Sequence, residues 1–351
     1  MKTQPLVVIT TRLPPANCGI GTYGWLLREH WPNEWLPVKF LVVDSAPASG
    51  FSTMGDEVVV AKQADEMARA LERIGSADLL LHYAGRAYHR YGFPLWLPRV
   101  LASRKRAHRA ARLTLFVHEL PGKLAITSHH FWLGELNKLV VRRLAALADV
   151  LITNTDSHAA TLRKITRRGD VHLIPIGSNI EPPKTAAHEA RIETEFVVFG
   201  LAFGRRQTLD LFRSSIARWV ADGMLTMLHL IGPEDENATP ANWPVTKHGA
   251  LAPAEVSRLL QRAGFGLTNA TESTWSKSTT FMACAAHGCL PVIASARPST
   301  PPLRDAVAAE EVGILDAAEL AQRRAALTKW YAENADWKMT ARKIAGLVHQ
   351  P

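Results

Sequence analysis

Short runs of apolar and β-branched residues alternate along this chain with helix-length segments of mixed polarity. The runs are Leu6–Thr10, Val38–Val43, Leu79–His82, Leu113–His118, Val150–Asn154 and Val171–Pro175, and then Phe196–Gly200, Leu225–Ile231, Val245–His248, Phe265–Thr268 and Leu290–Ala294. Strands that are apolar throughout, rather than at every second position, are buried on both faces. Alternating with helices, they predict parallel sheets covered on either side. A polar, proline-bearing stretch, Ser178 to Arg191, separates the two series. The expected class is α/β: two Rossmann-like doubly wound domains facing a cleft. Open parallel sheets bind ligands beyond the carboxyl ends of their strands, so the chemistry is sought there.

Composition adds limits. The 351 residues are 47% apolar and 21% charged, ordinary for a globular protein with room for two domains. No run approaches the ~18 apolar residues of a membrane-spanning helix. The early run Leu6–Ile9 breaks at Thr10-Thr11-Arg12, too short for a signal peptide. Three cysteines, Cys18, Cys284 and Cys289, build no disulfide framework or C-x-x-C zinc pair. A cytoplasmic, reduced protein is expected.

Charge is placed unevenly. Residues 1–184 hold 24 Lys+Arg against 15 Asp+Glu, whereas residues 185–351 hold 17 of each. Between Asp78 and Glu119 there is no acid, while Arg86, Arg90, Arg99, Arg104, Lys105, Arg106, Arg109 and Arg112 supply eight positive charges. The first half is therefore expected to meet something anionic. Phe93, Leu95, Trp96, Leu97, Val100 and Leu101 beside the cluster suit a helix lying on an anionic membrane. Tyr88, Tyr91, Phe93 and Trp96 are also the mix that base stacking uses, but no nucleic-acid module is recognisable, so no nucleic-acid partner is expected.

Three constellations could carry chemistry. Gly19, Gly21 and Gly24 follow the first strand at dinucleotide-fingerprint spacing, with Asp44 twenty residues on. Thr11 to Cys18, with two prolines, intervene, so the dinucleotide context fits less well than a plain strand-to-helix turn; either offers a helix N-terminus to a phosphate or sugar oxygen. His82 and His118 close two strands, with Glu119 beside the second; they can bond sugar hydroxyls or act as acid or base. The run Thr274-Trp275-Ser276-Lys277-Ser278-Thr279-Thr280 places hydroxyls and a lysine where a helix begins. With Arg205-Arg206 it could hold a diphosphate. Glu234-Asp235-Glu236 reads as a solvated loop, and no metal site is expected.

These residues resemble a family. Pro14-Pro15 with Gly19-Ile20-Gly21-Thr22-Tyr23, Val117-His118-Glu119, Ala148 to Thr155, Ile174 to Ile180, Phe199-Gly200, Leu230-Ile231-Gly232 and Ala285 to Ile293 fall in the order and spacing of bacterial GT-B glycosyltransferases. The resemblance implies an acceptor domain over residues 1–183, a nucleotide-sugar domain over 190–330, and a crossover helix over 331–351. It implies transfer from a nucleotide-diphosphate sugar to a glycan or lipid-linked acceptor, in cell-surface polysaccharide or glycolipid synthesis, without metal or other cofactor. Arg205, Arg206, Lys277, Ser278 and Thr279 would then meet the leaving diphosphate. Gly19 and Gly21 would lie near phosphate or sugar, and His118 near sugar hydroxyls. An inverting reaction would take Glu119 or His82 as base. Many retaining relatives carry two glutamates where this chain has Trp275 and Ala283. That departure keeps open a non-catalytic partner subunit of the same fold.

Overall fold

The computed structural model describes residues 5–16, 18–44, 57–121, 129–182, 190–233, 240–296 and 298–349. The chain divides into two compact units, Met1–Pro175 with Thr340–Pro351, and Ile176–Met339.

The first unit runs β1 (Leu6–Thr10), α1 (Gly19–Glu29), β2 (Lys39–Asp44), β3 (Glu57–Ala61), α2 (Ala64–Ile74), β4 (Asp78–Tyr83), α3 (Gly85–Tyr88), α4 (Trp96–Ala107), β5 (Leu113–Val117), α5 (His129–Leu147), β6 (Val150–Thr153), α6 (Asp156–Thr166) and β7 (Val171–Leu173). Its sheet is parallel, in the order β3-β2-β1-β4-β5-β6-β7. The order reverses beside β1, the switch point where doubly wound sheets bind ligands. Side chains alternate across the sheet. Ile9, Leu41, Leu79, Leu81, Leu113, Leu115 and Val117 enter one core with Met67, Leu71, Leu97, Leu101 and Leu144 of the helices. The other face, with Phe116 and His82, meets Tyr23 of α1.

The second unit runs β8 (Ile192–Phe199), α7 (Ala202–Leu211), α8 (Arg213–Ala221), β9 (Met227–Ile231), β10 (Val245–Gly249), α9 (Pro253–Arg262), β11 (Ala263–Leu267), α10 (Thr279–His287), β12 (Leu290–Ile293), β13 (Val307–Ala308) and α11 (Ala317–Asn334). Its parallel sheet is ordered β10-β9-β8-β11-β12-β13. Val197, Ile231, Val256, Leu260, Cys284 and Cys289 form its core on one face. Helix α12 (Trp337–His349) begins in this unit, and its residues from Thr340 onward belong to the first. There His349 stacks on Trp35 at 4.3 Å and meets Trp31 edge-on at 6.3 Å.

The α/β reading holds in both units. Two strands were absent from the sequence reading: β3 and β13, both at sheet edges. The basic segment also differs from its expectation as an interfacial helix. Leu97 and Leu101 of α4 are buried, and Phe93, Leu95, Trp96 and Val100 pack on the core, so its apolar side is spent internally. Among the described residues no helix is long and apolar enough to cross a membrane.

Candidate functional site

At the carboxyl edge of the first sheet, β4 and β5 lie in register with His82 opposite Phe116. His82 and His118 therefore emerge on one face, and Nδ1 of His82 lies 2.8 Å from Nε2 of His118. Tyr23 covers them, its ring 5.2 Å from both imidazoles and from Phe116, and Phe116 stacks on His118 at 4.3 Å. Backbone anchors fix the pair. The His118 N–H donates to the Tyr83 carbonyl, and the Tyr88 hydroxyl donates to the His82 carbonyl at 2.6 Å.

Burial keeps both rings neutral. It pushes His118 down to about 3, helped by the nearby charge of His158. It pushes His82 well below the usual imidazole range, helped by His118. A neutral imidazole has one donor and one acceptor nitrogen. Nε2 of His82 has no partner among the described residues. A buried bare acceptor is tolerated better than a buried bare N–H, so His82 Nδ1–H is assigned as donor to His118 Nε2. His118 then carries its proton on Nδ1, and offers an N–H to an incoming oxygen. Its Nε2 lone pair is engaged, so the arrangement allows it to donate a hydrogen bond but not to act as a base. His82 is fully enclosed and acts only through His118. Of the two bases the sequence offers, Glu119 is the exposed one.

The glycines divide. A Cβ on Gly21 would lie 1.7 Å from the Arg12 carbonyl oxygen, so α1 and the preceding loop touch only through glycine there. Gly19, first in α1, has open space where its Cβ would be. It is the one that leaves backbone accessible to a ligand. Asn154, just past the end of β6, was not singled out from the sequence. It is buried, and its Oδ1 has no partner among the described residues. A buried amide oxygen without a partner at a strand end is a signal that only the folded structure gives.

In the second unit the two arginines separate. Arg205 is buried and donates to the Gly200 and Pro233 carbonyls, both at 2.5 Å, bracing the turns after β8 and β9. Gly232, at φ 140°, is glycine because a Cβ would strike both the Arg205 guanidinium and the Gly200 carbonyl. Arg206 is exposed, 3.9 Å from Asp210. Ser278 caps α10, its hydroxyl accepting from the Phe281 N–H at 3.2 Å. Lys277 and Thr279 beside it are exposed. At the two places where the resemblance implies glutamates, Trp275 packs edge-on against Trp330 at 5.3 Å, and Ala283 is fully buried in α10. Among the described residues no group of His, Cys, Asp and Glu could hold a metal ion. Glu234-Asp235-Glu236 lies outside the described residues.

Two parallel sheets of the doubly wound kind, each carrying polar groups at its carboxyl edge, are the parts of a known fold. An alpha-glucosyltransferase in complex with UDP and a 13-mer DNA containing an HMU base superposes with TM-score 0.64 and 13% identity, over 100% of both chains. The fold is GT-B. A second GT-B likeness is the N-terminal domain of trehalose-6-phosphate phosphatase from Candida albicans, with TM-score 0.66 and 13% identity over 99% of this chain and 97% of that one. A third, described as a putative UDP-N-acetylglucosamine 2-epimerase from Listeria monocytogenes, gives 0.54 and 12% over 98% of this chain and 95% of that one. No family model and no curated protein matches the sequence.

One expectation is overturned by this GT-B comparison. The sequence reading excludes nucleic acid for want of a recognised module. The same fold, over the whole chain, occurs in glucosyltransferases solved in complex with DNA, so lack of a separate module excludes nothing.

Proposed function

We propose that the chain is a glycosyltransferase taking its sugar from a nucleoside-diphosphate donor. The observation that carries this reading is the start of α10, where exposed Lys277 and Thr279 flank the Ser278 cap at the carboxyl edge of a parallel sheet. Free N–H groups, hydroxyls and one cation suit a departing diphosphate, whose charge must be stabilised as the glycosidic bond breaks. Resemblance to UDP-bound glucosyltransferases of this fold supports the choice of donor. In this reaction the chain's own residues neutralise the leaving group, and no metal takes part. His118 donates Nδ1–H to a sugar or phosphate oxygen, and His82 holds its tautomer.

The acceptor is a glycan or lipid-linked sugar in the reading drawn from the sequence. A second reading, a sugar placed on nucleic acid, is favoured by the excess of Lys and Arg over Asp and Glu in residues 1–184 and by the DNA-bound neighbours of this fold.

Thermal unfolding with UDP, GDP, ADP and dTDP, with and without Mg²⁺, tests the donor. A nucleotide at ~100 times its dissociation constant adds about 2.7 kcal/mol to a folded state that alone binds it. The expected result is a rise with one diphosphate without metal, followed by transfer from the matching nucleotide sugar. Silence from all four would remove the transferase reading in favour of a non-catalytic partner subunit.

A further inference from the structure

On the first unit, α4 and the end of α5 enclose a groove of about 480 Å³ lined by Arg99, Ala102, Lys105, Arg106, Arg109 and Leu147. It lies at the amino edge of the sheet. Lys105 pairs there with Asp149 at 2.5 Å, and the same carboxylate accepts from the Leu113 N–H at the start of β5. His118 closes that strand about 16 Å away at the opposite edge. The groove is thus separate from the candidate sugar site.

We propose that this groove docks the sugar-phosphate backbone of duplex nucleic acid. Its cations are available: Arg99, Arg106 and Arg109 are exposed and make no hydrogen bond or ion pair among the described residues. Lys105 is held by Asp149 and the Ala111 carbonyl and shapes the floor. Arg142 and Arg143, exposed on α5 one turn before Leu147, add charge beside it. Arg99 and Arg106 are two turns apart on one helix, about 10 Å along its axis, so both guanidinium groups border the same concave surface. Several unpaired cations gathered on one concave surface suit a polyanion, whose condensed counterions they would displace.

A membrane fits less well. An interfacial helix sinks an apolar face among the headgroups, whereas the apolar face of α4 is buried in the core. Among the described residues from Trp96 to Arg112 no large apolar side chain is exposed. What remains outside is cation, which reads phosphate without needing insertion.

The proposal rests on the nucleic-acid reading of the acceptor, and the test keeps the two apart. Binding of a fluorescent 20-base-pair duplex is measured by anisotropy over a salt series, with no sugar donor present. R99A/R106A/R109A is compared with the wild type and with R213A/R258A/K329A, which removes three exposed cations from the second unit. The groove variant should lose at least tenfold in affinity. Its slope of log K against log salt should shrink by about 0.9 for each arginine removed. Both variants should keep the wild-type response to nucleoside diphosphates, which shows that they fold. Equal losses in the two variants, or none, would overturn the groove while leaving the acceptor reading standing. A wild type that ignores the duplex would overturn both. Binding to vesicles of anionic lipid in preference to duplex would reassign the surface to membranes.

Discussion

Nδ1 of His82 and Nε2 of His118 lie 2.8 Å apart in a hydrogen bond between two rings that burial holds neutral. The pair therefore couples stability to acidity. In the unfolded chain both histidines take up a proton near pH 6.5, while in the folded protein His118 resists until about pH 3. The unfolded state binds more protons in that window, so stability is full above about pH 6.5 and falls as the pH drops toward 3. The slope approaches about 1.4 kcal/mol per pH unit for each histidine. Melting temperature against pH should fall more steeply for the wild type than for H82Q/H118N, and parallel curves would contradict the coupling.

Gly21 and Gly19 should behave oppositely. Gly21→Ala drives a Cβ into the Arg12 backbone, which has no flexible end to yield. A loss of about 3 kcal/mol is expected in urea unfolding. Gly19→Ala meets nothing within 4 Å and should hold or slightly raise stability. If Gly19 lies against the ligand, only this variant will weaken nucleotide or sugar binding in a protein of normal stability.

Lys277→Ala should leave unfolding unchanged, since the side chain is exposed. It should weaken nucleoside-diphosphate binding about tenfold, the loss expected for one charge-assisted contact. Ser278→Ala removes the cap of α10 and should cost about 1 kcal/mol of stability in addition. Calorimetric titration of both variants separates the two roles.

Arg205→Ala and Arg206→Ala, one residue apart, should differ sharply. Arg205 ties the Gly200 and Pro233 carbonyls, and its loss leaves buried acceptors, worth about 2 to 3 kcal/mol. Arg206 is exposed, and its removal should stay within about 0.5 kcal/mol. A chemical denaturation series on the two proteins measures the contrast.

Much of the architecture was legible because buried parallel strands write themselves as unbroken apolar runs, such as Leu79–Leu81 and Leu113–Val117. The two unread strands had weaker signals. β13 is two residues long, and the three valines of β3 sit between polar residues at a sheet edge. His82 and His118 were legible as the ends of two strands, but that those strands are neighbours and bring the rings together is a finding of the structure. Their tautomer depends on which nitrogen is enclosed, and sequence carries no trace of that. Nor could spacing tell that Arg205 turns inward and Arg206 outward, because the choice is made by the carbonyls of two turns brought together only on folding. The apolar residues in and just before α4 suit a membrane-facing side as sequence, but the packing of α2 and α5 beside α4 covers them with core, which spacing alone does not show.

The final helix gives this chain an unusual order of assembly. Residues 340–349 complete the first unit, yet they are synthesised after all of the second. A ribosome adding about 5 to 20 residues per second needs on the order of ten seconds or more to cover that gap. Throughout it, the nascent first unit lacks its last piece, and the tryptophan faces of Trp31 and Trp35 await His349. The second unit can finish folding first, which reverses the order in which the two halves are encoded.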